Sequence, residues 1–283
     1  MSERRRLVAR LAPIALVGLL AVAWLVPGNV GLRLASGDDD VAVAWTDALD
    51  ALPDDPVVLV GFDADFGTYA EVRPTLRTAL ADLLNRDGRL AFVSMTPEGR
   101  ALLLGELARL ARGEANPTRL LDLGFRPGSE AALVALTRDL AVPDEAEGAL
   151  ARTVAAEGIG AFDAALLVGG NDFGPRSWVE QVSPRVDDLP LLAIAPTSLL
   201  PELQPLAGTG QLSALIATPR DGAAYRELAE LGNLDRFRET PEPRPVVFLV
   251  GMLAAILVLG QAWGARLASL ARAAERDAGP TTS

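Results

Sequence analysis

Two acidic residues, separated by one residue, directly follow an apolar run and could bind a metal ion or exchange protons. Asp63 and Asp65 come after residues 57–62, a continuously apolar run typical of a strand buried on both faces. Carboxylate and amide oxygens are the hard ligands that Mg²⁺ and Ca²⁺ prefer. Three further polar residues follow later runs or loops of the same kind and complete the set of candidate ligand-binding residues: Thr96, Asn171 and Asp172.

The metal hypothesis depends on which strands are neighbours. Ligands of parallel α/β sheets bind beyond the carboxyl ends of the strands. If the first and fourth strands lie side by side, we expect Asp63, Asp65 and Asp172 to converge on one Mg²⁺ or Ca²⁺ site. The alternative is that Asp63 and Asp65 cap the following helix and accept hydrogen bonds from loop amides. Our main expectation is therefore that no cofactor is bound, with Mg²⁺ or Ca²⁺ as the alternative.

Residues 63–68, which read DADFGT, resemble the D-x-D-x-T loop of haloacid-dehalogenase-type phosphatases. In that family a Ser or Thr, a Lys or Arg and a later acidic pair complete the site. Here the threonine comes one place late, the chain has no lysine, and the acidic pair is reduced to Asn171-Asp172. The resemblance implies a divalent-metal-dependent hydrolase that uses Asp63 and Asp65, and these departures count against it.

The composition removes most other kinds of catalysis. The chain has no cysteine, no histidine and no lysine. Thiol nucleophiles, the Ser-His-Asp arrangement, Schiff bases and most transition-metal sites are thereby excluded. The formal net charge of −11 disfavours nucleic acid as a partner. The composition therefore favours a binding domain over an enzyme.

Six strand-like segments alternate with segments of helical periodicity. This alternation predicts an α/β domain with a doubly wound, mostly parallel sheet, either Rossmann-like or flavodoxin-like. No G-x-G-x-x-G sequence follows the first strand, which argues against a dinucleotide site. The predicted strands are residues 57–62, 90–95, 119–125, 164–168, 190–195 and 211–218.

Two apolar segments near the chain ends, residues 11–32 and 245–265, are long enough to cross a bilayer as helices. Arginines lie just outside both segments, which places both tails, residues 1–10 and 266–283, in the cytoplasm. Residues 33–240 are then predicted to form one extracytoplasmic domain.

The first apolar segment can also be interpreted as a signal peptide. Residues 21–23 read AVA, a small-x-small cleavage pattern. Cleavage there would leave the second segment to hold the same domain on the same side of the membrane. Gly260 and Gly264 in the second segment have the spacing of a helix-pairing motif, so self-association is a further possibility.

Three stretches, residues 57–76, 121–128 and 199–228, are similar to an uncharacterised family of bacterial and archaeal membrane proteins. Members of that family have one extracytoplasmic α/β domain between two terminal transmembrane helices. The resemblance implies this fold and topology for most of the central region. It implies no substrate and no reaction.

The sequence thus predicts a domain anchored in the cell membrane that does not catalyse a reaction. We expect it to bind a ligand or partner as a subunit of a membrane assembly. The expected partners are the membrane itself and other membrane proteins or a second copy of this chain. The alternative function is the metal-dependent, phosphatase-like hydrolase that uses Asp63 and Asp65.

Overall fold

Six parallel strands form one sheet, in the order β3-β2-β1-β4-β5-β6. The structure is a computed structural model that describes residues 39–112, 116–170 and 173–231. All five strand pairs are parallel, which confirms the prediction of an α/β fold. The strands are β1 Val57–Asp63, β2 Arg89–Ser94, β3 Leu120–Phe125, β4 Ala164–Gly169, β5 Leu191–Pro196 and β6 Ala214–Thr218.

The strand order is that of the Rossmann fold, in which the chain winds outward from β1 in both directions. This settles the choice between the Rossmann-like and flavodoxin-like alternatives. The helices of the described residues are α1 Asp39–Asp50, α2 Tyr69–Asn85, α3 Pro97–Arg112, α4 Glu130–Arg138, α5 Ala149–Glu157, α6 Pro175–Gln181, α7 Leu200–Gly208 and α8 Arg220–Leu231. Short 3₁₀ turns occupy Pro117–Arg119, Gly158–Ala161 and Thr197–Leu199.

Alternate residues of each strand pack into two separate apolar layers. In β1, Val58, Val60 and Phe62 pack under α1, α2, α3 and α8, whereas Val57 and Leu59 pack under α4, α5, α6 and α7. Both faces of the sheet are therefore covered, which explains why the strands read as continuous apolar runs instead of alternating ones.

The two helices at the ends of the described chain, α1 and α8, pack together on the first face. Trp45 of α1 meets Tyr225 of α8 edge to face, with ring centroids 5.9 Å apart. The Tyr225 hydroxyl donates to Asp82 Oδ2 at 3.1 Å. Arg86, just after α2, donates to Asp82 at 3.1 Å and to Asp50, the last residue of α1, at 2.5 Å. These contacts join α1, α2 and α8 into one layer.

A buried ionic group joins α2 to α3. Glu106 of α3 is 1 % exposed and accepts from Arg77 of α2 at 2.8 Å and from Arg109 at 2.8 Å. It also accepts from the Tyr69 hydroxyl. Burial opposes ionisation of Glu106, but these donors together outweigh it, and the pKa of Glu106 is lowered. The carboxylate therefore stays charged although it is buried.

The last strand begins later than the sequence pattern predicts. Residues 211–213 precede β6 because the amides of Gln211 and Leu212 both donate to the Leu206 carbonyl at the end of α7. Gly210 has a φ of 77°. This left-handed conformation is common after the end of a helix, and glycine adopts it easily. Residues 211–213, which the sequence pattern assigns to the strand, therefore lie between α7 and β6.

The two apolar segments predicted to cross the membrane, residues 11–32 and 245–265, lie outside the described residues, as do both tails. Among the described residues, no helix is both long enough and apolar enough to span a bilayer.

Gly61 of β1 gives a test of the packing between the sheet and α6. A Cβ added at Gly61 would lie 2.5 Å from Cζ2 of Trp178, a fully buried ring that cannot move aside. We expect Gly61→Ala to lower the free energy of unfolding by about 1–3 kcal/mol. Chemical unfolding of the purified chain followed by circular dichroism measures it. The matched control is Gly208→Ala in α7, where an added Cβ meets nothing within 4 Å. Equal stability of the two variants would contradict the packing described here.

Candidate functional site

The carboxyl ends of β1 and β4 form the point at which the sheet reverses its direction of winding. The two strands are hydrogen-bonded neighbours, and Asp63 lies in register with Gly169. α2 follows β1 onto one face, and α6 follows β4 onto the other. In sheets of this topology the diverging helices leave a crevice in which ligands bind. The neighbour relation on which the metal hypothesis depends is therefore present.

Asp63 ends β1 and is 1 % exposed. Its Oδ1 accepts from the amides of Met95 and Thr96 at 2.7 and 2.9 Å. The same oxygen lies 3.1 Å from the Ser94 hydroxyl and 3.2 Å from the Thr96 hydroxyl. All four donors come from the last residue of β2 and the turn that follows it. The carboxylate therefore fastens the end of β1 to the neighbouring turn.

Burial raises the pKa of Asp63 to about 6, although the hydrogen bonds from Met95, Ser94 and Thr96 act in the opposite direction. These donors are two amides and two hydroxyls, and together they lower the pKa by less than burial raises it. A carboxyl with this pKa changes its protonation close to neutral pH. That property suits a general acid or base, but here Oδ1 is already surrounded by donors of the protein itself.

Asp65 lies in the loop between β1 and α2 and contacts its own turn. Its Oδ1 accepts from the amides of Gly67 and Thr68 at 2.7 and 2.9 Å, and its Oδ2 accepts from the Thr68 hydroxyl at 2.6 Å. Partial burial opposes ionisation, but these hydrogen bonds outweigh it and lower the pKa of Asp65. Asp65 thus stabilises the loop before α2 by accepting from loop amides, whereas the N-cap of α2 is Thr68, whose side chain makes no capping hydrogen bond.

Thr96 caps the first turn of α3. Its hydroxyl accepts from the amide of Gly99 at 3.1 Å, and its carbonyl accepts from the amide of Arg100 at 3.0 Å. A Cβ at Gly99 would lie 2.5 Å from the carbonyl oxygen of Phe62 in β1. The absence of a side chain there lets the first turn of α3 rest directly on the end of β1.

The loop after β4 passes close to the Asp65 turn. A Cβ at Gly170 would lie 1.8 Å from the Thr68 hydroxyl oxygen and 2.7 Å from Asp65 Oδ2. Asn171 and Asp172, the next two residues, lie outside the described residues. The proposed set of Asp63, Asp65 and Asp172 therefore stays a prediction, although the loop that carries Asp172 starts beside Asp65.

Glu71 also lies at this edge of the sheet, and the sequence did not indicate it as a site residue. It lies in the first turn of α2 and reaches the ends of β5 and β6, where its Oε1 accepts from the Thr197 amide at 3.2 Å. The Thr218 hydroxyl lies 3.4 Å from the same oxygen. The Thr197 hydroxyl donates to the Thr218 carbonyl at 2.6 Å. An acidic residue in a first helical turn is ordinarily explained by the helix dipole, so the sequence pattern does not indicate this bridge.

The carboxylates at this edge are held by separate donors. Asp63 accepts from the β2–α3 turn, Asp65 accepts from its own loop, and Glu71 accepts at the ends of β5 and β6. Within residues 39–112, 116–170 and 173–231, no three acidic side chains are grouped so that they could hold a metal ion. Among the described residues, these carboxylates at the carboxyl edge of the sheet accept hydrogen bonds from the protein itself.

The comparisons with known proteins add little to this description. No protein-family model matches the chain, and the search of curated proteins found no match either. Among solved structures, the chain is similar to one titled "Structure of MT0777", with a TM-score of 0.36 and 18 % sequence identity. The likeness covers 62 % of this chain and 93 % of that chain, and it carries no argument about function. The fold and the edge described above define the chain as an α/β protein with a Rossmann-type sheet.

The raised pKa of Asp63 can be tested through the pH dependence of stability. Because the folded-state pKa, about 6, lies above the ordinary aspartate value of 3.8, the favourable contribution of protonated Asp63 is complete below about pH 4. It is lost as the pH rises through about 6, and the loss amounts to roughly 3 kcal/mol. We expect Asp63→Asn to remove this decrease, which unfolding of the wild-type and variant chains between pH 4 and 7.5 measures.

The control for this experiment is Asp65→Asn. The pKa of Asp65 is lowered in the folded state, so its contribution changes only below about pH 4. Asp65→Asn should therefore keep the wild-type decrease between pH 4 and 7.5. If Asp63→Asn keeps the same decrease as the wild type, the assignment of the titration to Asp63 is wrong.

Proposed function

We propose that this chain is a membrane-anchored, non-catalytic binding domain that acts as a subunit of a membrane assembly. Residues 11–32 and 245–265 anchor it in the cell membrane with both termini in the cytoplasm, and the α/β domain lies outside the cytoplasm. The ligand or partner binds at the carboxyl edge of the sheet, near β1 and β4. The proposed anchor is also the topology of the membrane-protein family that the sequence resembles.

One observation carries the non-catalytic part of the proposal. At the edge where a Rossmann-type sheet binds its ligands, Asp63 Oδ1 and both carboxylate oxygens of Asp65 accept hydrogen bonds from loops of the protein itself. A general base or metal ligand needs an oxygen directed at the substrate or ion. The chain also lacks histidine, cysteine and lysine, which would supply other nucleophiles and bases. Binding through loop surfaces requires none of these groups.

A second candidate function is a divalent-metal-dependent hydrolase that uses Asp63 and Asp65. A specific observation favours it, because β1 is the neighbour of β4 and Gly170 lies close to Asp65. The loop that carries Asn171 and Asp172 therefore begins beside the two carboxylates. In this function, Mg²⁺ or Ca²⁺ would be held by Asp63, Asp65 and Asp172.

Thermal melting with and without a divalent ion separates the two functions. A site occupied at 100 times its Kd stabilises the folded state by about 2.7 kcal/mol, which raises the Tm of such a domain by roughly 5–10 °C. For a non-catalytic domain we expect Mg²⁺ and Ca²⁺ to change the Tm no more than NaCl of the same ionic strength. An increase of that size, lost in Asp63→Asn and in Asp172→Asn, would overturn the non-catalytic proposal in favour of the hydrolase.

Cysteine labelling tests the membrane topology. The chain has no cysteine of its own, so each engineered thiol reports on one position. We expect Gln204→Cys, exposed on α7, to react with a membrane-impermeant maleimide in intact cells. We expect Ser283→Cys, in the C-terminal tail, to react only after the cells are permeabilised. The reverse pattern, or complete release of the chain from membranes by carbonate, would contradict the proposed anchoring.

A further inference from the structure

The outer face of α3 is uncharged over two turns. Leu103, Glu106 and Leu110 point inward and are buried. On the opposite side the helix exposes four residues in helical spacing, and Leu104 among them is 50 % exposed. Surface helices ordinarily carry charged residues on such a face. We define the outer face of α3 as Ala101, Leu104, Gly105 and Ala108.

Opposite charges lie at the two ends of this face. Glu98 and Arg112 are exposed and lie seven residues before and after Gly105, so both are on the same edge of the helix. Within the described residues, neither side chain takes part in an ion pair or a side-chain hydrogen bond. By contrast, Arg109 on the inner side is paired with Glu106.

An antiparallel pair of these helices would match both the charges and the small residues. If two copies of α3 cross at residues 104–105, Ala101 of each copy faces Ala108 of the other. In the same arrangement, Glu98 of each copy faces Arg112 of the other, which gives two symmetry-related ion pairs. We propose that a second copy of this chain docks on the outer face of α3 around a two-fold axis beside Leu104 and Gly105.

The spacing of the charges is what favours a second copy over another partner. A two-fold axis requires that the surface be complementary to itself, and here the acidic and basic ends are equally distant from the centre of the face. Gly105 and the two alanines allow the helix axes to approach to about 8 Å, the close end of the usual range. Glu98 and Arg112 also suit the dipole of their own helix, so the experiment must separate the two roles.

The predicted interface is small. A 16-residue helix is about 24 Å long, and one helix pair falls below the roughly 1,200 Å² of most specific interfaces. We therefore expect weak association that a covalent trap detects better than a measurement at equilibrium. Because the full chain has no cysteine, a disulfide between two copies that each carry one introduced thiol must join the same position in both.

The first experiment is oxidative crosslinking of the full-length chain in the cells that produce it. We expect Leu104→Cys to form a dimer, because the two copies of residue 104 lie next to the axis. Glu98→Cys should not crosslink with itself, because the two copies of residue 98 are about 20 Å apart along the helices. When chains with Glu98→Cys and chains with Arg112→Cys are produced together, the mixed dimer should form. The control is Gln204→Cys, an exposed position on the opposite face of the sheet.

The second experiment exchanges the charges in the Leu104→Cys background. Glu98→Arg and Arg112→Glu should each lower crosslinking by roughly fivefold, as expected for the loss of two exposed ion pairs. The double exchange should restore it, whereas a role confined to the helix dipole would make the double exchange worse than either single one. The proposal is overturned if Leu104→Cys crosslinks no more than Gln204→Cys, if Glu98→Cys crosslinks with itself, or if the double exchange fails to restore the dimer.

Discussion

One buried carboxylate connects the central strand of the sheet to the turn that begins α3. Asp63 Oδ1 accepts from two amides and lies within reach of two hydroxyls in the β2–α3 turn. Without an acceptor at this point the amide of Met95 would be buried without a partner, which is costly inside a protein, and the amide of Thr96 would keep only the Ser94 hydroxyl at 3.4 Å. The same turn presents Thr96 as the helix cap and Gly99 as the contact with β1. The position of α3, and with it the outer face of that helix, therefore depends on Asp63.

The fold could be predicted because both faces of the sheet are covered. Strands buried on both sides must be apolar at every position, and residues 57–63 are buried throughout. The start of α3 at Thr96-Pro97 could also be predicted, because a capping residue followed by proline is typical of the first turn of a helix. Such signals depend only on residues close together in the chain, and the structure confirms them. The start of β6 was predicted too early, since the end of α7 competes for the same amides.

The contacts of the carboxyl edge could not be predicted in the same way. The donors to Asp63 come from the strand beside β1, and a periodic pattern does not specify which strand that is. Glu71 contacts Thr197, which is 126 positions away in the chain. In the sequence, Glu106 is one polar residue of an amphipathic helix. It can be buried because Arg77 from a neighbouring helix donates to it. Residue types gave the candidates, but only the strand order and the packing of the helices decide what each candidate contacts.

Two buried carboxyls in this domain have opposite environments, and the contrast bears on function. Glu106 accepts from two arginines and a tyrosine, and its pKa is lowered. Asp63 is equally buried, its described donors are neutral, and its pKa is raised. Glu106 is suited to joining α2 and α3, since a charge that is fully paired stays in place over a wide range of pH. Asp63 lies instead where sheets of this topology bind ligands, and groups with raised pKa values cluster at such sites.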